Sequence, residues 1–239
     1  MAHGKANALD LELCEALTAQ LEVCERSPST RALVITGSGA MFSAGVDLLR
    51  VVDGGADYVR AFLPAMNRMF ERLFALPKPV VAAVNGHAIA GGCIIVCAAD
   101  WRLMTRDAGR IGIPELLVGV PFPPVPLEIM RFATHASQLQ SLAYRGLTLT
   151  GSEALQFGLV DSVTDADRLL DEAIAMAEAA AGLPAEAFAL TKAQLREPAL
   201  QRMKAGASTD AAVQSAWASA STLGAIQGYV ARTFKKPSA

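Results

Sequence analysis

Asn85-Gly-His-Ala-Ile-Ala-Gly-Gly-Cys-Ile-Ile-Val-Cys97 decides the fold, because it joins the end of a strand, a glycine turn and the start of a helix. Just before it, Val80-Val-Ala-Ala-Val84 is a short apolar run that reads as a buried strand, and Gly91 to Ala99 suits a packed helix. Ala88, Ala90, Gly91 and Gly92 are small enough for backbone to approach backbone. The first amides of a helix lack intrahelical acceptors and carry partial positive charge, so this turn can aim an N–H at an oxygen gaining negative charge. A glycine turn that merely packs tightly explains the same residues, and the stretch alone leaves both readings open.

Working upstream, Asp10 caps a helix to about Arg26, with Leu13, Leu17, Leu21 and Cys24 at helical spacing. Arg31 to Thr36 is a strand, and the loop Gly37 to Gly45 before Val46-Asp47-Leu48 is a second place where backbone faces a ligand. No Gly-Lys-Ser/Thr follows that loop and its glycines do not fit G-x-G-x-x-G, so nucleotide hydrolysis and hydride transfer lose support. Tyr58 to Ala75 reads as a helix with Phe62, Met66, Met69, Phe70 and Leu73 inward, ended by Pro77 and Pro79.

Downstream, Trp101 to Thr105 and Arg110 to Ile113 are extended, so strands and helices alternate as in a layered α/β core. Pro121 to Pro126 is expected to be a rigid internal loop rather than a polyproline partner motif. Ala136 to Arg145 reads as a helix, Ser152 to Gly158 as a short helix capped by Ser152, and Leu159 to Val163 as a last strand. The rest is helical, with breaks expected near Gly182-Leu-Pro184, Pro198 and Gly224. We therefore divide the chain into a core, 1–182, and a helical region, 183–239.

With 239 residues, 52% of them hydrophobic, the chain can bury a full core. A net charge of −2 with scattered Lys and Arg excludes a broad basic field for nucleic acid. No run of about 18 uncharged apolar residues predicts a membrane span, and no signal peptide is legible, so a cytoplasmic enzyme is the expectation. Cys14, Cys24, Cys93 and Cys97 lack metal-ligand spacing and read as buried thiols. His87 lies near the glycine turn, and none of the three histidines is expected to serve as a nucleophile's base.

Glu115 is flanked by Ile113, Pro114, Leu116 and Leu117. If buried there without a partner, its charged form is costly, its pKa rises and it suits a proton shuttle; an exposed Glu at a strand end is the alternative.

Asn7-Ala-Leu9, Phe42-Ser-Ala-Gly-Val-Asp-Leu48, Asn85-Gly86 with Ala90-Gly-Gly-Cys93, Pro114-Glu115, and Leu147-Thr-Leu-Thr-Gly-Ser-Glu-Ala154 followed by Gly158-Leu-Val-Asp161 come in the order found in one superfamily. Together they resemble the crotonase, or enoyl-CoA hydratase/isomerase, superfamily over nearly the whole chain. The resemblance implies an α/β spiral of repeated β-β-α units with a C-terminal helical region used in trimerisation, the trimers often pairing into hexamers. It further implies an acyl-CoA substrate and no metal or redox cofactor.

Carried over by position, the amides of Val46 and Gly91 hold the thioester oxygen and Glu115 moves the proton. Lys5, Ala6, Ala44, Asp47 and Leu48 match the coenzyme A segment, with Gly92 and Pro114 beside the reacting groups. Tyr229 and Arg232 match a C-terminal aromatic and basic pair that reaches a neighbouring subunit's ligand; a solvated helix end explains them equally.

The hydratases carry a second glutamate directly after the Gly-Gly-Cys turn, and here that position is Ile94. The dienoyl isomerases carry an aspartate eight residues past the glutamate, and here that position is Pro123. Leu190-Thr-Lys192 and Ile226-Gln-Gly-Tyr-Val-Ala-Arg232 are similar to the single-glutamate 3,2-trans-enoyl-CoA isomerases. An isomerase is the expectation, with a hydratase-like crotonase reaction as the alternative and a non-catalytic acyl-CoA-binding subunit as the alternative of another class.

Overall fold

The structure is a computed structural model that describes residues 1–233. After α1 (Leu11–Arg26), the chain winds a spiral in which each turn gives one strand to each of two sheets and then a helix. The turns are β1 (Leu33–Thr36), β2 (Met41–Ser43), α2 (Leu48–Ala75); β3 (Val80–Val84), β4 (His87–Ile89), α3 (Gly91–Ala98); and β5 (Trp101–Thr105), β6 (Ile111–Gly112), α4 (Glu115–Val118). Then come α5 (Pro124–Ala133), α6 (Ala136–Arg145), β7 (Thr148–Leu149), α7 (Gly151–Gln156), β8 (Ser162–Thr164), α8 (Leu169–Ala181), α9 (Ala185–Ala205), α10 (Ala207–Trp217) and α11 (Ala220–Thr233).

One sheet has the order β1-β3-β5-β8 and is parallel throughout; the other is β2-β4-β6-β7, with β7 antiparallel. All five residues of β3 are buried, because helices cover both faces of its sheet. Val80, Ala82 and Val84 point into the main core, while Val81 and Ala83 meet Leu169, Ala173 and Ala177 of α8. This is the two-residue alternation of a strand, invisible in the sequence because both faces are apolar.

Several elements depart from the sequence expectations. α2 begins at Leu48, because Asp47 caps a first helical piece that meets the second at Gly55, where φ is 57°. The Pro121–Pro126 stretch is not all loop: Pro124 opens α5, where a missing N–H costs nothing. α7 is capped by Thr150, whose hydroxyl accepts from the Glu153 amide while Glu153 reaches back to the Thr150 amide, so Ser152 lies inside the helix. Pro198 and Gly224 lie within α9 and α11, and the breaks between the last helices fall at Gly206 and Ala218.

α9 is fastened to the core by a buried ion cluster. Lys192 Nζ and Arg196 Nη2 each stand 2.7 Å from a different oxygen of Asp100, and Arg196 also donates to the Ala98 and Ala99 carbonyls that end α3. Burial drives the Lys192 ammonium down to about 8, against the opposing pull of Asp100. α10 is fastened through α2. Pro64 has no N–H to give the Arg60 carbonyl one turn back, and Gln214 Nε2 takes that carbonyl at 3.2 Å. Asn67 Nδ2, also on α2, donates to Asp210 Oδ1 at 3.1 Å.

Candidate active site

Two backbone turns meet at the centre of the molecule. The first, Ala44 to Asp47, is clamped along one side by the segment before α1: Ala44 N donates to Ala6 O at 3.0 Å, Leu9 N to Gly45 O at 2.7 Å, and Asp47 N to Leu9 O at 2.9 Å. In this pairing the Val46 N–H faces the opposite side. Asn7 and Ser43 brace the clamp, Asn7 Nδ2 donating to Met41 O and Phe42 O and Ser43 Oγ to Asn7 O.

The second turn, Ala90-Gly91, opens α3. Ala90 is held at φ 52°, a strained conformation for a residue with a Cβ, and its N–H donates to Gly112 O at 2.8 Å. Gly91 is then the first residue of the helix. Among the described residues neither the Val46 nor the Gly91 amide has a hydrogen-bond acceptor. The turns touch: a Cβ on Gly45 would stand 2.5 Å from Ile89 O and 3.0 Å from Gly91 N. Gly92 serves the other reading of the glycine turn, for a Cβ there would stand 2.5 Å from Ser43 O. Close packing and donor presentation thus fall on successive glycines.

The bond from Ala90 to Gly112 also brings in the carboxylate. Gly112 ends β6, and Glu115 follows as the first residue of α4 rather than at a strand end. The chain then turns at Gly119, at φ 93°, whose N–H closes back on Glu115 O. Glu115 is only partly buried as a residue, yet its Oε2 is sealed from solvent without a hydrogen-bond partner. Loss of solvation pushes its carboxyl up to about 8, opposed only by its own backbone N–H.

Between about 4.5 and 8 the native chain keeps a proton that the unfolded carboxyl releases, so the native state loses stability as pH rises through that window. Glu115→Gln, which has no charge to bury, is expected to match the wild type near pH 4.5 and to exceed it above pH 8. The gain grows by roughly 1.4 kcal/mol per unit of pKa displacement. Urea midpoints across that range check it, and a constant difference would contradict it.

Val46, Gly91 and Glu115 line one cavity of about 560 Å³. Lys5, Ala6, Ala44, Asp47, Leu48, Pro114 and Tyr229 line it too, so most of the residues singled out in the sequence converge. Gly92 and Arg232 do not: Gly92 packs against Ser43, and Arg232 is exposed on α11, with its guanidinium near Gly228. His87 is half-buried on β4, away from the cavity. Lys192, part of a motif used for the resemblance, binds Asp100 instead. Three of the four cysteines are buried and all are free. Among the described residues no three His, Cys, Asp or Glu side chains are grouped to hold a metal ion, and no single helix is long and apolar enough to cross a membrane.

Sequence reasoning missed His3, Arg50, Phe122 and Trp217 in the lining and read Asp10 only as a cap. Asp10 performs both tasks: its Oδ1 accepts from Leu13 N and its Oδ2 lies 2.7 Å from His3 Nε2. Nothing local in the sequence marks Trp217, which arrives from a helix far along the chain.

A two-sheet β-β-α spiral with paired backbone donors and a buried carboxylate in one cavity defines a crotonase-type α/β enzyme. Residues 2–234 match the family model described as enoyl-CoA hydratase/isomerase, and the chain belongs to that family. It is similar to a Thermus thermophilus protein named, provisionally, as an enoyl-CoA hydratase, with 35% identity over 79% of this chain and 75% of that one. It is similar also to a Mycobacterium tuberculosis structure described as an enoyl-CoA isomerase, at 35% identity and a TM-score of 0.78, covering 87% of this chain and 90% of that one. The structure of human mitochondrial delta3-delta2-enoyl-CoA isomerase superposes with a TM-score of 0.92 at 26% identity, covering 96% and 90% of the two chains. Both a hydratase and an isomerase are thus named among the proteins it resembles.

Proposed function

We propose that the chain moves the double bond of an enoyl-CoA thioester from position 3 to position 2. One observation carries this reading: three carboxylates line the cavity, and two of them are already committed. Asp10 caps α1 and pairs with His3, and Asp47 caps α2 through bonds from Leu49 N and Arg50 N. Among the described residues of the lining, only Glu115 has a carboxylate oxygen sealed from solvent without a partner, and Ile94, in the same lining, is apolar and 1% exposed. Adding water needs a water to be oriented and protons moved at two centres. Shifting a double bond needs one base.

In the proposed reaction the amides of Val46 and Gly91 hold the thioester oxygen while ionised Glu115 takes a proton from C2. The electron pair spreads into a dienolate whose oxygen gains charge against the two N–H groups, and Glu115 returns the proton at C4. The C2–H bond breaks, the C4–H bond forms, and no electrons leave the substrate, so neither metal nor redox cofactor enters the proposal. Lys5, Ala6, Ala44, Asp47, Leu48 and Tyr229 are the proposed contacts for the rest of the thioester. Assembly as a trimer or hexamer belongs to the same proposal and is supported by Leu116, Leu117 and Tyr144, large apolar side chains exposed on neighbouring α4 and α6. The cytoplasm is the proposed place of work.

Incubation with a 3-enoyl-CoA and, separately, a 2-enoyl-CoA tests the reaction. Conversion of the first to its 2-enoyl isomer is expected. Hydration of the second without isomerisation of the first would remove the isomerase reading in favour of a hydratase.

A further inference from the structure

The cavity lining is of two kinds. Lys5, Asp10, Asp47 and Arg50 supply charge, whereas Met66, Phe70, Ile94, Val118 and Val120 are each less than a tenth exposed and wholly apolar. On the acyl-CoA reading, the coenzyme A moiety belongs with the charged residues and the acyl tail among the buried apolar side chains. Trp217, 2% exposed, is among the buried part of the lining.

Trp217 is held more firmly than a packed side chain would be. Its Nε1 donates to Pro121 O at 2.9 Å, in the segment linking α4 to α5 and six residues beyond Glu115. Asp210, Gln214 and Trp217 recur at helical spacing along α10, and the first two are bound to Asn67 and to the Arg60 carbonyl of α2. Three hydrogen bonds along one face therefore fix the helix, and the indole cannot swing aside as a methionine can.

Resting on the acyl-CoA reading above, we propose that Trp217 is the end wall of the acyl pocket and sets the longest chain the enzyme accepts. A tail that reaches the indole meets a large ring pinned from behind. Each further methylene must then be left out of the apolar pocket or force it open, a discrimination of roughly ten-fold or more per methylene.

The test measures Kd for saturated acyl-CoA thioesters of increasing chain length, which needs no turnover, on the wild type, Trp217→Ala and Trp217→Phe. The wild type is expected to gain affinity with each carbon up to a limit and then to lose roughly ten-fold per step. Trp217→Ala is expected to move that limit to longer chains. Trp217→Phe, a smaller ring without the N–H, moves it the same way by less, and decides the question if the alanine variant does not fold. A merely structural role for Trp217 would weaken all lengths alike, and an unchanged length profile in the folded variants overturns the proposal. A folded wild type that binds no acyl-CoA of any length would instead overturn the functional reading on which it rests.

Discussion

Glu115→Gln is expected to lower kcat on a 3-enoyl-CoA by a factor on the order of 10³, within the range that a positioned general base contributes, while the thioester still binds. Glutamine keeps the size and hydrogen-bonding reach of the protonated carboxyl but has no basic form. The loss should therefore appear in kcat with little change in binding, the pattern of an interaction made only during reaction. The wild type should also show the pKa of its base. Burial holds Glu115 protonated up to about 8, so only its ionised fraction can take the C2 proton. Activity in kcat/KM should rise with pH through neutrality and level off above about 8, a limb that Glu115→Gln lacks. A non-catalytic acyl-CoA-binding subunit would show the binding and have no activity to lose.

Gly45→Ala should be nearly as damaging, by a different route. Gly45 sits at φ 79°, where a Cβ is strained, and that Cβ would stand 2.5 Å from Ile89 O and 2.7 Å from the Cβ of Ala90. One neighbour is backbone and the other sits in a turn already held at positive φ, so neither can yield cheaply. The two turns must separate, and on the proposed reading the Val46 and Gly91 amides then no longer act together on one oxygen. Removal of one such donor costs on the order of 10² to 10³ in rate, and the expected fall in kcat is of that size. Gly91→Ala makes a useful contrast, because there the nearest atom is Leu9 Cδ1, at 2.5 Å, on a side chain that can rotate. If Gly45→Ala folds and keeps wild-type kcat, the paired-donor account is wrong.

The sequence exposed those features that rest on local chemistry. Asp10 as a cap, β3 as a buried run, α3 opening at Gly91, and Glu115 among apolar neighbours all follow from residues adjacent in the chain. Features set by distant partners were out of reach. Gly92 and Gly91 look equivalent in sequence, and only the approach of Ser43 assigns one to packing while the cavity claims the other. Asp47 reads in the sequence only as a coenzyme A contact, and its second task, accepting the amides of Leu49 and Arg50 at Oδ1 to cap α2, shows only in the structure. Pro124 looks like a loop residue because three prolines surround it, yet it stands where a helix accepts proline. Trp217 is the extreme case: its indole is held by Pro121 and its helix by Asn67 and Arg60 through Asp210 and Gln214, and Pro121, Asn67 and Arg60 are all distant from it in sequence.

Solvent deuterium exchange at C2 of a bound acyl-CoA tests the base and the paired donors together. Wild-type protein in D2O should place deuterium at C2 of a saturated thioester that cannot isomerise, and Glu115→Gln should bind the same thioester without exchanging it. Exchange at the wild-type rate in Glu115→Gln, or none in the wild type with ligand bound, would contradict a single buried carboxylate working against an oxygen held by the Val46 and Gly91 amides.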